Sequence, residues 1–295
     1  MYKKILVPVD FAHASLWGLD LARHILPEGG ELRLLYVLDE SSLSPMRGIF
    51  KVSEVEERGK EELEKLEQAL HGSGIQATTT IRKGHVTHEV QEEAREWGAD
   101  ALTIGSHGRK GLTRLLLGSV AERLLREVEL PTFVVKSEPT SKPACIAFAT
   151  DFSDASVGAF TAFQDALQSL EAKGVILHVI DEDAWLLQAS MVATSIPLDL
   201  EPIEKKAKES LAERVGLVKA AGFDCKGELL NGSPWDKIEE YTQAEGVDLL
   251  VLGTHGYRGY ERFVLGSVAQ KVLRTVSCPV LVVPHPGADD SSAAK

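Results

Sequence analysis

The sequence predicts an α/β chain made of two tandem doubly wound domains, and three observations carry that prediction. The 295 residues are about twice the usual length of one domain, roughly 150. The chain also repeats itself: ALTIGSHGRKGLTRLLLGSVAERLLR at 101–126 aligns without gaps to LLVLGTHGYRGYERFVLGSVAQKVLR at 249–274, with 13 of 26 positions identical at an offset of 148. Finally, short apolar runs alternate with helically periodic segments, the pattern of a parallel sheet covered on both faces.

The repeat extends beyond that block. The same offset carries Gly84 to Gly232 and Pro131 to Pro279, while residues 5–11 match 146–152 at an offset of 141, so the second copy gains seven residues in between. In the first copy the apolar run at 4–10 reads as strand one, and a helix over 15–25 follows small and polar residues. Strand two is placed at 31–38, a helix with apolar residues at three- and four-residue spacing at 54–70, and strand three at 77–82. A helix at 88–96, strand four at 101–105, a helix at 119–127 and strand five at 132–136 complete the copy. The second copy repeats the order, with strands near 145–151, 174–180, 224–230, 248–253 and 280–284. Each domain is therefore expected to be a five-stranded parallel sheet of order 3-2-1-4-5 with helices on both faces.

Domain one is expected at 1–138 and domain two at 144–286, joined by a linker at 139–143 where two prolines stand among polar residues. The last stretch, 287–295, cannot bury enough apolar surface to order itself and is expected to form a flexible tail. Segments 39–53 and 181–199 are loop-like yet carry Met46, Ile49, Phe50, Trp185, Leu186, Leu187 and Met191. They read as packed against their own domains, with lids or partner surfaces as the other option.

Composition narrows the function classes. Apolar residues make up 44% and charged residues 26%, the balance of a folded globular chain, and the net charge of −12 argues against a broad nucleic-acid face or a polybasic membrane anchor. Cys145, Cys225 and Cys278 are odd in number and lack any C-x-x-C, so neither a disulfide framework nor a zinc site is indicated. No apolar stretch approaches the ~20 residues that span a bilayer, and the run ending at Pro8 is too short for a signal-peptide core. The expected location is the cytoplasm.

The chemistry concentrates in Gly105-Ser106-His107-Gly108, nine residues, then Gly118-Ser119, repeated as Gly253-Thr254-His255-Gly256, nine residues, then Gly266-Ser267. A strand leads in and a helix leads out, so the free N–H groups and positive dipole end of that helix can hold a phosphate. Glycines let the backbone approach a ligand and take positive φ, and Ser119 and Ser267 add hydroxyl donors. The structural alternative is turn chemistry, with Ser119 and Ser267 as N-caps of their own helices. In the expected sheet order strands one and four lie side by side at the switch point, so Asp10 faces Gly105, and Asp151 faces Gly253, where a nucleotide would sit. Each aspartate can meet a ribose hydroxyl, adenine or a metal, or can instead cap the following helix through an Asx turn. His107 and His255 read as holding the turn, since no ligand partner lies at metal-binding spacing. Arg109, Lys110, Arg114, Arg258 and Arg262 are either phosphate contacts or surface charge. Trp97 and Trp235 fall at different places in the two copies and are assigned to packing.

The pattern G-x-x-G-x9-G-[ST], the strand ends Pro8-Val9-Asp10 and Ala149-Thr150-Asp151-Phe152-Ser153, and the endings Tyr36-Val37-Leu38-Asp39 and His178-Val179-Ile180-Asp181 resemble the universal stress protein family over nearly the whole chain. The resemblance implies two tandem Rossmann-like domains of the ATP-binding branch. It places ATP, with ADP or AMP as alternatives, on Pro8, Asp10, Val37, Gly105, Gly108, Gly118, Ser119 and Val120 in the first copy. In the second it uses Ala149, Asp151, Val179, Gly253, Gly256, Gly266, Ser267 and Val268. Mg²⁺ would enter through the nucleotide phosphates; no metal site and no catalytic residue is assigned. The family also pairs domains through their final strands, which implies an intramolecular pseudo-dimer, with a homodimer of whole chains as a further option. One departure is Val86, where the family commonly has proline, retained here as Pro234; it puts the local loop shape of the first copy in question.

The function this implies is an ATP-binding stress-response regulator with one adenine-nucleotide site per domain. A slow ATPase or nucleotidyl-transfer enzyme is the second reading, weakened by the lack of a G-x-x-x-x-G-K-[ST] loop. A nucleotide-independent interaction scaffold is the third. The charge distribution favours small anions: segment 105–126 is net +4 and 253–274 net +3, leaving −19 on the remaining 251 residues.

Overall fold

The computed structural model describes residues 2–39, 51–107, 117–181, 201–254 and 265–285. It divides into two compact units, Met1–Lys142 and Pro143–Lys295. The loop-like segments at 40–50 and 182–200, the glycine-loop interiors at 108–116 and 255–264, and the tail lie outside the described residues.

In the first unit the elements run β1 (Lys4–Pro8), α1 (His13–Ile25), β2 (Glu31–Leu38), α2 (Val52–Gly72), β3 (Gln76–Lys83), α3 (Val86–Trp97), β4 (Ala101–Gly105), α4 (Ser119–Glu127) and β5 (Thr132–Val135). The second runs β6 (Cys145–Ala149), a 3₁₀ turn (Asp154–Ser156), α5 (Val157–Leu170), β7 (Lys173–Ile180), α6 (Glu201–Ala220), β8 (Cys225–Asn231), α7 (Pro234–Ala244), β9 (Leu249–Gly253), α8 (Ser267–Thr275) and β10 (Val280–Val283). Strand order is β3-β2-β1-β4-β5 in the first unit and β8-β7-β6-β9-β10 in the second, the expected order in each. All pairings within a unit are parallel, with Pro8 opposite Leu35, Leu6 opposite Leu102, and Ala149 opposite Leu177. The chain crosses one way through strands one to three and returns to four and five. Right-handed crossovers then set α1 and α2 on one face and α3 and α4 on the other.

The residues explain this layering. Strands covered on both faces need unbroken apolar runs, and β4, β5, β9 and β10 are buried at nearly every position, while β3 and β8 are exposed or half-buried at all but one position each. Phe133, Phe148 and Phe163 are among the largest fully buried side chains.

Two carboxylates, one per unit, tie strand one to strand four. Asp100 Oδ2 accepts from the Lys3 and Lys4 N–H groups at 2.9 Å each, and Asp248 Oδ2 from Ala144 and Cys145 at 2.9 Å each. The two aspartates stand 148 residues apart, the offset of the repeat. The helix at Val86 begins where its counterpart begins at Pro234, and the preceding Gly84 and Gly232 both have positive φ, 150° and 123°. The missing proline therefore leaves the loop shape intact. Among the described residues no helix is long and apolar enough to cross a membrane.

Candidate functional site

Strand one of each unit ends two residues earlier than expected, at Pro8 and Ala149, because the chain turns sharply just beyond it. Phe11 and Phe152 take left-handed φ values of 63° and 61°. For a bulky aromatic residue that conformation is strained by about 1–3 kcal/mol, and its recurrence at matching positions marks the turn as built for a purpose. Each ring rests on the matching strand-two side chain: Phe11 on Tyr36 at 5.1 Å between ring centres, Phe152 on His178 at 4.5 Å.

The turn is fixed by the aspartate before it. Asp10 Oδ1 accepts from the Ala12 N–H at 3.0 Å, and Asp151 Oδ1 from the Ser153 N–H at 3.0 Å. Both aspartates thus form the Asx turns weighed above. The first turn starts α1 at His13, two residues before the expected Ser15, with Ala12 as N-cap. Asp10 remains half-buried and Asp151 exposed at the C-terminal end of the sheet.

Across the strand-one/strand-four crevice, β4 runs into Gly105 and Ser106, and α4 begins at Ser119. The Gly118 N–H donates to the Ser106 carbonyl at 2.7 Å, and the Gly266 N–H to that of Thr254 at 2.8 Å, so both glycine loops are closed at the neck by the same bond. Gly118 and Gly266 are the N-caps, with φ of −65° and −57°, and no side-chain cap is present on either helix. Ser119 and Ser267 are first helical residues, exposed, and do not cap their helices, so the capping alternative does not hold; and, against the expectation of positive φ, neither Gly118 nor Gly266 takes it. A Cβ on Gly118 would lie 3.3 Å from both His107 Cα and the Ser106 carbonyl oxygen.

Gly105 is absent from the positive-φ glycines, and its reason lies in helix packing: a Cβ there would sit 2.8 Å from the Ser15 nitrogen and closer still to the Ala14 carbonyl. The start of α1 lies directly on the end of β4, so the glycine brings the Asp10 turn and the glycine loop together.

His107 shares a hydrogen bond between its Nδ1 and the Ser106 hydroxyl at 2.8 Å and meets Trp17 edge-on at 6.4 Å, so it is anchored by side chains at the start of the glycine loop. Val37 and Val179 are half-buried at their strand ends, and Val120 and Val268 are exposed by 44% and 39% beside the helix starts. Pro8, Ala149, Gly105 and Gly253 are also half-buried along the same rim. Gly108, Gly256, His255, Arg109, Lys110, Arg114, Arg258 and Arg262 lie outside the described residues. Trp97 is packed under two cations, Arg33 at 4.7 Å and Lys4 at 5.5 Å, and Trp235 under Lys271 at 5.2 Å.

Sequence reasoning passed over the aromatic pairs and the hydroxyls around Asp151, although Phe11 and Phe152 coincide under the repeat. His178 is the informative difference between copies. Its Nδ1–H donates to the Thr150 carbonyl at 2.8 Å. Burial pushes the imidazole below its ordinary value, and the Thr150 bond and the Asp151 charge pull it up without offsetting that. The unfolded chain therefore takes up this proton first as pH falls through about 6.5, and the second unit should lose stability below that pH. Urea unfolding between pH 7.5 and 5 should show a shallower decline in His178→Tyr, which installs the first copy's residue; an unchanged slope would remove His178 from the account.

Comparison with known proteins places this arrangement. The model of the universal stress protein family matches residues 1–136 and again 145–284. Universal stress protein MJ0531 of Methanocaldococcus jannaschii is 36% identical over 141 residues, covering 46% of this chain and 83% of that protein. Universal stress protein YxiE of Bacillus subtilis is 31% identical over 148 residues, covering 46% of this chain and all of that protein. A solved universal stress protein from Archaeoglobus fulgidus matches 96% of this chain and 98% of its own with a TM-score of 0.75; at 20% identity it shows the fold alone.

Proposed function

We propose that this chain, which belongs to the universal stress protein family, is an ATP-binding stress-response regulator with one adenine-nucleotide site in each domain. The observation that carries the reading is the doubled crevice. In each copy an uncapped helix start, with a glycine N-cap and an exposed serine, stands across from an aspartate fixed at the end of strand one. Such a helix start has orphan N–H groups and a positive dipole end for phosphates, and the half-buried valine at the end of strand two offers an apolar surface to a base. ATP, ADP and AMP all fit that chemistry. In this reading Mg²⁺ would enter through the nucleotide phosphates. The same reading places the protein in the cytoplasm. It also pairs the two halves through the short apolar final strands, as a pseudo-dimer, and allows whole chains to form a homodimer.

The test uses charge. Ser119→Asp with Ser267→Asp sets a carboxylate at the first residue of each helix, where it favours the helix dipole but repels a polyphosphate. In the natural chain, ATP at a hundredfold excess over Kd should stabilise each domain by about 2.7 kcal/mol. The doubly substituted chain should melt no lower than the natural one without ligand and should lose the ATP-dependent rise in Tm. An equal rise in both proteins would put the nucleotide elsewhere.

A further inference from the structure

The two crevices share their glycines and aspartates but differ in what holds the aspartate. In the second copy the Ser153 hydroxyl donates to Asp151 Oδ1 at 2.6 Å, beside the backbone bond to the same oxygen. The Phe152 N–H donates to the Thr150 hydroxyl oxygen at 2.9 Å; that hydroxyl donates to Ser156 Oγ at 3.1 Å, and Ser156 donates to the Ser153 carbonyl at 2.7 Å. His178 holds the Thr150 carbonyl from strand two. Thr150, Ser153 and Ser156 are 8%, 9% and 3% exposed, so these bonds are shielded from competing water. The matching first-copy residues are Val9, Ala12 and Ser15. Ser15 repeats the bond to the carbonyl of residue 12, at 2.9 Å. The Ser15 hydroxyl oxygen also accepts from the Asp10 N–H at 3.3 Å, but Val9 and Ala12 carry no polar side-chain atom, so at these three matching positions the first turn has one hydroxyl where the second has three.

We propose that the second domain is the tighter of the two nucleotide sites, because Thr150 and Ser153 hold the Asp151 turn in place before the ligand arrives. The inference rests on the nucleotide reading above. Both turns are held, but each bond that holds a turn beforehand lowers the ordering cost of binding, and at the matching positions the second turn has more of them. Thr150 and Ser153 are positioning residues: they act through Asp151.

Calorimetric titration of the nucleotide-free full chain with ATP tests this. Two sites are expected, separated by about three- to tenfold in Kd. Asp151→Ala should remove the tighter and Asp10→Ala the weaker. Thr150→Val with Ser153→Ala, which installs the first copy's side chains, should bring the tight site down to the affinity of the weak one. Thr150→Ser keeps the hydroxyl and should keep the tight site, whereas a purely packing role would favour the isosteric valine. The reciprocal change Val9→Thr with Ala12→Ser should tighten the first site and supplies a reading should the second-domain variant fail to fold. Two equal sites, or loss of the weaker one in Asp151→Ala, would overturn the inference while leaving the nucleotide reading standing. Absence of ATP binding at either site would sink both.

Discussion

Replacing Glu93 by alanine is expected to destabilise the first unit by about 3 kcal/mol, the low end of the cost of breaking a buried ion pair, because Arg82 keeps Glu89 and Glu96. Glu93 is 4% exposed and joins two guanidinium groups: Oε1 accepts from Arg33 at 2.8 Å and Oε2 from Arg82 at 2.6 Å. Arg82 continues to Glu96 and to Glu89 at 3.6 Å, and Arg33 lies over the Trp97 ring. Removing the carboxylate leaves Arg33 and Arg82 facing each other in a half-dry site. Burial pushes the Glu93 carboxyl up, but the hydrogen bonds from Arg33 and Arg82 outweigh it and hold the group below its ordinary value of 4.5. Its contribution is thus present at neutral pH and fades as pH falls below about 4.5. Urea unfolding at pH 7 should show a first unit shifted to much lower denaturant, with Glu93→Gln milder because an amide oxygen can still accept one bond. An unfolding midpoint unchanged in Glu93→Ala would mean that the network carries no net stability.

Gly105→Ala should be the most damaging single change in the first crevice. The new methyl would enter the backbone of α1 at Ala14 and Ser15, and Gly18, one turn on, already lies against Ile104 and Gly105 at 3.4 Å by the same measure. Two backbones in contact cannot yield by turning a side chain, so α1 must shift away from β4 at a cost of about 1–3 kcal/mol. That shift moves the Asp10 turn, which leads directly into α1, so the first site should lose its nucleotide as well as part of its stability. Gly118→Ala is expected to be gentler, since its neighbours lie 3.3 Å away and need give only slightly. Unfolding curves and ATP titration of both variants check the ranking; a Gly105→Ala chain as stable as the natural one, with both sites filled, would contradict it.

Much of this was legible in the sequence because repetition and apolar patterning are local signals. The strand order, the adjacency of strands one and four, and the glycine loops leading into α4 and α8 all follow from runs, turns and offsets. The left-handed Phe11 and Phe152 were not legible, since aromatic residues disfavour that conformation and only the aspartate turn before them imposes it. The reason for Gly105 was hidden for a related cause: a close approach between backbones depends on where α1 lands, which no residue type announces. The Arg33–Glu93–Arg82 network joins three elements, and its second-copy counterparts, Val175, Leu230 and Tyr241, are not its equivalents in charge, so the repeat gave no hint of it. The hydroxyls at Thr150 and Ser153 were in view as part of a motif. Their role appears only once Ser156 and His178 are seen to close the network around them.

The central claim is one adenine nucleotide per domain, and counting bound nucleotide tests it most directly. Native mass spectrometry of the full chain after incubation with ATP, followed by denaturation and identification of what is released, reports number and identity together. The account predicts up to two adenine nucleotides per chain, falling to one in Asp10→Ala or Asp151→Ala. A chain that takes up no adenine nucleotide, or keeps the same number when both aspartates are replaced, would contradict it.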